Sequence, residues 1–513
     1  MNIKLNFAVS ITSLLLAGCS NPSPEDEASV LSNHCTNIHR NDSITLDTVF
    51  LPLTDSIQNK TGVYVLEDGG GSMVTRAWFS EYAEKSIDVQ YFIFSTDNVG
   101  LIACDYLVRA ADRGVKVRIL VDDIMVEAGV HDILMMDSHE NISIKVYNPG
   151  TNLGKNICEK IGKLKLDFKG ANQRMHNKTF TVDGKVSITG GRNIADEYFD
   201  YDHEYNFRDR DVMLIGKTAN VIQNSFNTFW ESKLSVAVTD LVSAEGEKFT
   251  DPKRFDKLHE YACNPDNFWP QVRERVNNFP QTVKEWNVSG EIAWLDTVGF
   301  VSDVPGKNNK WQDMHAGGVS TDALVALVNK AKKSIMIQSP YLITTAEGTA
   351  LFAAAVKRGV KVQILTNSLA STDNLDAFSG YQSCRADLLK AGVHIYEFRP
   401  DAAIRYKVMT GALQKKLNYK PVFGLHAKSM VVDGETTVIG TFNLDPRSAN
   451  LNCECVSIIH SQKIAAGVSK GMEEEIKPEN AWHTTLEFNP DGIAGIDKNK
   501  KALQRRIVPK EIL

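Results

Sequence analysis

The sequence lacks several things that would settle its class at once. Beyond residue 18 it has no apolar run of the roughly 18–20 residues that a membrane-crossing helix needs. Cysteine is sparse, 8 in 513 residues, and no Cys or His spacing reads as a zinc site. No metal and no other cofactor is therefore expected. Excess positive charge is also missing. With 57 Lys and Arg against 63 Asp and Glu, the formal net charge is −6. That excludes a global pull toward nucleic acid, which is not expected as a partner, and leaves only local basic patches. Apolar content of 43% with 23% charged residues is ordinary for a globular chain long enough for two or more domains.

What is present begins with a processing signal. Lys4 precedes "FAVSITSLLLAG", a 12-residue apolar stretch from Phe7 to Gly18 that is too short to span a bilayer. It ends in "LAGC", Leu16 to Cys19, which resembles the bacterial lipobox. The resemblance implies removal of residues 1–18 as a lipoprotein signal peptide and lipidation of Cys19, giving a membrane-anchored protein that faces the periplasm. Ser20 rather than Asp follows, which by the enterobacterial sorting rule favours the outer membrane over the inner one. Residues 19–43, polar and containing Pro22 and Pro24, read as a tether. Seven cysteines follow Cys19, an odd number, so disulfides would leave at least one thiol over.

Two stretches carry one polar pattern. "MHNKTFTVDGKVSITGGRN" runs from Met175 to Asn193, and "LHAKSMVVDGETTVIGTFN" from Leu425 to Asn443. Their surroundings match too. "KSIDVQYFIF" at Lys85 corresponds to "KSIMIQSPYL" at Lys333, "RGVKVRIL" at Arg113 to "RGVKVQIL" at Arg358, and "SIKVYNP" at Ser143 to "HIYEFRP" at His394. Offsets of 248, 245, 251 and 250, in the same order, mark a duplicated domain. Each half reads as a buried strand, a helix closed by Gly114 or Gly359, and a second strand. This order implies βαβ units on a largely parallel sheet flanked by helices, an α/β fold. The expected boundaries are 44–240 for the N-terminal domain, 241–300 for a connector and 301–513 for the C-terminal domain. From about Lys217 to Val298 the repeat shows no counterpart.

Asp-Gly between β-branched runs, at Asp183-Gly184 and Asp433-Gly434, is a hairpin signal. A two-residue turn would set His176 opposite Gly191 and Lys178 opposite Thr189. In the second copy it would set His426 opposite Thr441 and Lys428 opposite Ile439. Period-two alternation then puts His176, Lys178 and Asn193 on one face, and His426, Lys428 and Asn443 on another. The small residues Gly190, Gly191, Gly440 and Thr441 leave room for a ligand. Lysine and asparagine suit phosphate oxygens, and an imidazole can attack phosphorus or carry a proton. Two such trios, apposed across a pseudo-twofold axis, would let one His form a phosphohistidine while the other acts as general acid and base. The turn aspartates Asp183 and Asp433 read as hairpin and packing residues.

H-x-K-x4-D-x6-G-G/S/T-x-N, present twice, resembles the phospholipase D superfamily over about Lys85 to Glu454. "GGRNIADEYF", "FRDRDVMLIG", "VSDVPGK" and "FNLDPRSANLNCE" are similar to its bacterial cardiolipin synthase C branch. The resemblance implies two homologous phospholipase D-like domains, each a mixed β-sheet flanked by helices and related by a pseudo-twofold axis. It implies His176 as nucleophile and His426 as general acid and base, an order that the sequence alone leaves reversible. It also implies a carboxylate behind each His. By chain position Asp209 fits the first motif, with Asp211 as rival, and Glu454 fits the second.

Each motif follows a basic lead-in, from Lys155 to Arg174 and from Ile404 to Lys420, and the first has apolar residues at helical spacing. Such segments suit an anionic membrane surface or a solvated helix. The resemblance and the lipobox together imply phospholipid substrates, phosphatidylglycerol with phosphatidylethanolamine, joined into cardiolipin. Hydrolysis to phosphatidic acid is the alternative, and a phosphodiester nuclease is a more distant one.

Overall fold

A computed structural model describes residues 43–125, 129–150, 152–153, 172–202, 204–242, 249–268, 270–307, 317–409, 421–507 and 513. The expected signal peptide and tether, Cys19 and most of both basic lead-ins lie outside the described residues.

The first half supplies β1 (Thr61–Leu66), β2 (Ser86–Tyr91), β3 (Lys116–Asp122), β4 (Ile142–Tyr147), β5 (Thr179–Val182), β6 (Val186–Gly190), β7 (Tyr205–Arg208), β8 (Asp211–Gly216), β9 (Ser235–Ala237) and β10 (Ala293–Leu295). The second supplies β11 (Gly299–Ser302), β12 (Ser334–Gln338), β13 (Lys361–Asn367), β14 (His394–Phe398), β15 (Val422–Leu425), β16 (Ser429–Val432), β17 (Thr436–Gly440), β18 (Cys455–His460) and β19 (Ala481–Thr484). They form a nine-stranded sheet, β10-β1-β8-β6-β5-β2-β3-β4-β9, and an eight-stranded one, β11-β18-β17-β16-β12-β13-β14-β19. In these sheets only β2-β3-β4 and β12-β13-β14 are parallel. Both sheets are therefore mixed, not largely parallel. The βαβ signal is confined to the strands joined by crossover helices, and the hairpins that carry the motifs supply antiparallel strands.

The crossover helices Asn98–Asp112 and Ala346–Lys357 form for local reasons. The Asp97 carboxylate accepts the N–H of Gly100 at 3.0 Å, and the Thr345 hydroxyl accepts that of Gly348 at 3.2 Å. At the far ends Gly114 and Gly359 take φ of +91° and +87°. The following N–H groups of Val115 and Val360 donate back to Ala110 and Ala355 at 3.2 and 3.1 Å, closing Schellman caps.

The repeat extends beyond its visible matches. Helix Lys217–Trp230 follows β8 as helix Gln462–Glu475 follows β18, and β9 and β19 then pair antiparallel with β4 and β14. A packing helix needs only an apolar stripe, so its letters diverged while its place held. Residues expected to form a connector pack on the first half: β10 pairs with β1, and Phe255, Phe268 and Phe279 are buried in its core.

The two halves share a core. Val63, Val212 and Leu214 of the first sheet pack with Val431, Ile439 and Ile459 of the second, each burial stabilising by roughly 1.5–3 kcal/mol. A parallel ribbon of β7 and β15 crosses between the halves. Among the described residues, no helix is long and apolar enough to cross a membrane.

Candidate active site

Both motifs form hairpins, β5–β6 and β16–β17. Asp183 and Gly184 take φ of +53° and +65°, and Asp433 and Gly434 take +55° and +69°. The N–H of Lys185 donates to Val182 at 2.9 Å and that of Glu435 to Val432 at 3.0 Å, as in a type I′ turn. The ladder, however, pairs Val182 with Val186 and Val432 with Thr436. Lys185 and Glu435 are thus extra residues, as in a bulge, and the register is one off the two-residue expectation. Thr179, not Lys178, lies opposite Thr189, and Ser429, not Lys428, opposite Ile439.

Strand alternation alone would therefore turn Asn193 to the wrong face. It is recovered because β6 ends at Gly190 and the chain leaves the strand. Ile194 bridges to Phe94, and the Asn193 Oδ1 accepts the N–H of Ile93 at 3.1 Å. The adjacent Phe92 ring stands edge-on to His176 with centroids 5.0 Å apart and lies 5.5 Å from Lys178 Nζ. The loop 92–94 thus connects Asn193 to the other two members of its trio. In the second half Asn443 donates its N–H to Ser448 Oγ at 3.2 Å, and its buried Oδ1 has no partner among the described residues.

The turn aspartates stand away from both trios and fasten each hairpin to a neighbouring strand. Asp183 accepts the N–H groups of Glu84, Lys85 and Ser86 at 2.8–3.0 Å. Asp433 accepts those of Lys332, Lys333 and Ser334 at 2.7–3.1 Å.

The carboxylates cross between halves. His176 Nδ1 is 2.9 Å from Glu454, and His426 Nδ1 is 2.7 Å from Asp209. Chain position had assigned Asp209 to the first motif and Glu454 to the second, and the structure reverses this pairing. The backbone explains why. His176 donates its N–H to the C=O of Cys453 at 2.9 Å, and His426 donates to Arg208 at 2.8 Å. The residue before each carboxylate is thereby pinned to the opposite histidine. Gly191 is required here, because its missing Cβ leaves the space that the Asp209 carboxylate occupies. Thr441, its counterpart, instead donates its hydroxyl to Glu454 at 2.5 Å, and Ser448 adds a second donor at 2.7 Å. Asp211, the rival to Asp209, is tied to Arg76 at 2.9 Å and Ser72 at 2.8 Å.

Both histidines, both lysines and both asparagines are buried. Burial pushes the His176 imidazole down to about 4, against Glu454 and with the help of Lys178 and Lys428. Burial and Lys428 push His426 down to about 3, against Asp209. Burial and the facing Lys428 bring Lys178 to about 7, and burial brings Lys428 to about 8 against the pull of Asp209 and Glu454. Both carboxylates stay below their ordinary range in spite of burial, because a histidine and a lysine face each one. The free site thus holds two ionised carboxylates and two neutral imidazoles. With Nδ1–H donated to a carboxylate, each ring presents its Nε2 lone pair, the form needed for attack or proton abstraction. Lys428 Nζ also lies 2.9 and 3.0 Å from the two ring nitrogens of His426. Lys178 Nζ instead donates to the His176 C=O at 2.9 Å.

Sequence reasoning missed the supports. Tyr198 and Phe207 pack on His426 with centroids 5.0 and 4.7 Å away. Arg208 and Arg210, both buried beside Asp209, pair with Glu67, and Arg208 also reaches Glu475 at 2.5 Å. A signal was available: "RDRD" at 208–211 sets consecutive charges against an apolar strand, and buried charges need partners. Among the described residues, no group of three or more His, Cys, Asp or Glu could hold a metal ion.

Comparison with known proteins places this geometry in context. A family profile described as "Cardiolipin synthase, PLD-like domain" matches residues 81–230 and again 324–476. Cardiolipin synthase C of Escherichia coli (strain K12) is 32% identical over 450 residues, 86% of this chain and 90% of that protein. Cardiolipin synthase 1 of Bacillus cereus is 27% identical over 408 residues, 79% of this chain and 64% of that protein. The crystal structure of phosphatidylserine synthase from Haemophilus influenzae Rd KW20 aligns over 90% of this chain and 99% of its own, with a TM-score of 0.56 and 13% identity, a likeness of fold.

Proposed function

We propose, for a chain that belongs to the cardiolipin synthase family of phospholipase D-like enzymes, that it makes cardiolipin from phosphatidylglycerol and a second phospholipid such as phosphatidylethanolamine. The observation that carries this reading is the reciprocal pair of carboxylate-held imidazoles, flanked by two lysines, at the seam between the halves. His176 Nε2 attacks the donor phosphorus, and the bond from phosphorus to the headgroup oxygen breaks. His426 gives its Nε2 proton to that oxygen. The proton is held there while the substrate's negative charge lies in the site, since an anion nearby favours the imidazolium. His426 then takes a proton from the hydroxyl of the incoming phosphatidylglycerol, whose oxygen displaces His176 from phosphorus. Lys178, Lys428, Asn193 and Asn443 bind the non-bridging oxygens.

The same reading anchors the chain through a lipidated Cys19, facing the periplasm, with the outer membrane favoured by Ser20. Incubation of the pure protein with phosphatidylglycerol, with and without phosphatidylethanolamine, tests the reaction. Cardiolipin is the expected product, and phosphatidic acid alone would make the enzyme a hydrolase. His176→Ala and His426→Ala should each abolish turnover, and near-normal rates in either variant would rule out the two-histidine scheme.

A further inference from the structure

We infer that the second half contains an acyl-chain subsite, a groove between its sheet and the helices Val319–Lys330 and Ala346–Lys357 with Lys428 among its lining residues. Its cavity volume is about 150 Å3, room for part of an extended chain and not for a whole lipid. Leu324 and Leu351 on the helices and Met430 and Val456 on the sheet make its walls apolar, and its charged lining residues are Lys428 and Asp445. Protein cores leave few voids larger than a water molecule, so open apolar space beside the phosphate-binding lysine calls for an occupant.

The duplication provides an internal control. The first half has a smaller space between its sheet and the helices Gly69–Tyr82 and Asn98–Asp112, at about 50 Å3. Most residues that line the smaller space have counterparts around the larger one, whereas Lys178, the counterpart of Lys428, does not line it. Arg76 and Asp211, an ion pair at 2.9 Å, stand where the second half has Leu324 and Val456. Phe180, Phe199 and Tyr106 stand where it has Met430, Ala449 and Leu351. The Arg76 guanidinium lies 5.6 Å from the centre of the Phe199 ring and donates to the Tyr91 hydroxyl at 3.0 Å. Ser339 replaces that tyrosine in the second half. The first half thus closes the space with a buried ion pair and aromatic rings, and the second opens it with smaller, uncharged residues. Losing one partner of the pair would strand a buried charge, and both members differ together.

The occupant follows from the chemistry of Lys428. Lys428 holds a phosphate oxygen in the function proposed above, and this inference rests on that reading. In a phospholipid the phosphate and the acyl chains join through one glycerol, so apolar space lined in part by the phosphate lysine suits a chain.

The test uses the intact protein and vesicles of phosphatidylglycerol and phosphatidylethanolamine, the phosphatidylglycerol carrying a photoreactive diazirine on one acyl chain. After irradiation, label is mapped by peptide mass spectrometry and is expected between Leu324 and Phe352 or at Ala449. Turnover of the same vesicles is measured in parallel. Turnover with label confined elsewhere overturns the subsite and leaves the function standing. Label in the groove without turnover supports the subsite and overturns the function. In a second arm, Ala449→Phe restores the residue of the first half. It should lower kcat/KM for dioleoyl phosphatidylglycerol about tenfold or more and leave the value for dibutanoyl phosphatidylglycerol within about twofold. Equal losses on both substrates in a variant that melts like the parent would overturn the subsite.

Discussion

At the scale of single residues, the site is built to be short of one charge. Lys178 and Lys428 each lower the basicity of the histidines, and Lys428 also lowers that of Lys178. Burial adds to every one of these effects, so Lys178 titrates at about 7 and Lys428 at about 8. A bound anion reverses the balance by favouring the protonated forms. The sign of the resulting pH dependence is fixed. Below about 7 both ammoniums carry their protons and the site binds an anion well. As pH rises through 7 and then 8, first Lys178 and then Lys428 must be reprotonated for binding, and affinity falls. Sulfate keeps its charge throughout this range, so a change in its affinity reports the protein. Its affinity, measured by calorimetry, should fall by up to about tenfold per pH unit between 7 and 8 and more steeply above that. Lys178→Met should remove the first step and leave the second. A flat wild-type profile from pH 6 to 9 would show that both lysines stay charged and that burial does not tune them.

At the scale of elements, the hairpin shows how far sequence reading reaches. The Asp-Gly turns, the helix caps at Gly114 and Gly359 and the repeat itself were legible because each rests on local chemistry. The register was not, because an extra residue in a turn leaves no mark in the hydrophobic pattern so close to the strand end. The trio nevertheless stands out as a candidate by composition, since three phosphate-compatible side chains recur at one spacing in both halves. Its assembly depends on the loop 92–94, which the sequence shows only as an apolar stretch. The crossed carboxylates were illegible for a different reason: chain order says which half donates a residue, not which half receives it. Asp183 belongs to this scale. It carries a positive φ and accepts three backbone N–H groups from the entry to β2. Asp183→Ala removes the acceptor and strains the turn, and should lower unfolding free energy by about 1–3 kcal/mol in a denaturant titration. Asp183→Asn tolerates the backbone conformation and should lose less. Since the turn is away from the trios, kcat of the folded fraction should stay near wild type in both variants. A large fall in kcat at unchanged stability would give Asp183 a direct role in the site.

At the scale of the whole molecule, the candidate site and the interface between the halves are one structure. Each histidine takes its carboxylate from the other half, and each donates its backbone N–H to the C=O of the residue before that carboxylate. The apolar layer of Val63, Val212 and Leu214 with Val431, Ile439 and Ile459 holds the sheets together behind this seam. Arg208 concentrates the coupling. Its C=O receives the His426 N–H, while its guanidinium reaches Glu475 at the end of helix Gln462–Glu475, with both side chains buried. Glu475 also accepts a hydrogen bond from Gln338 of β12. Glu475→Ala leaves the Arg208 charge buried with one partner fewer, and should destabilise the protein by roughly 3–5 kcal/mol. It should also lower kcat, although Glu475 touches neither histidine, because Arg208 positions both His426 and Asp209. Replacing both partners, Arg208→Met with Glu475→Leu, removes the stranded charge and should recover much of the stability. Calorimetry of the parent should show one transition with equal calorimetric and van't Hoff enthalpies, as expected when the shared apolar layer and the crossed hydrogen bonds couple the two cores. Two separate transitions, with Glu475→Ala moving only the second, would mean that the halves fold independently and that the seam merely brings finished domains together.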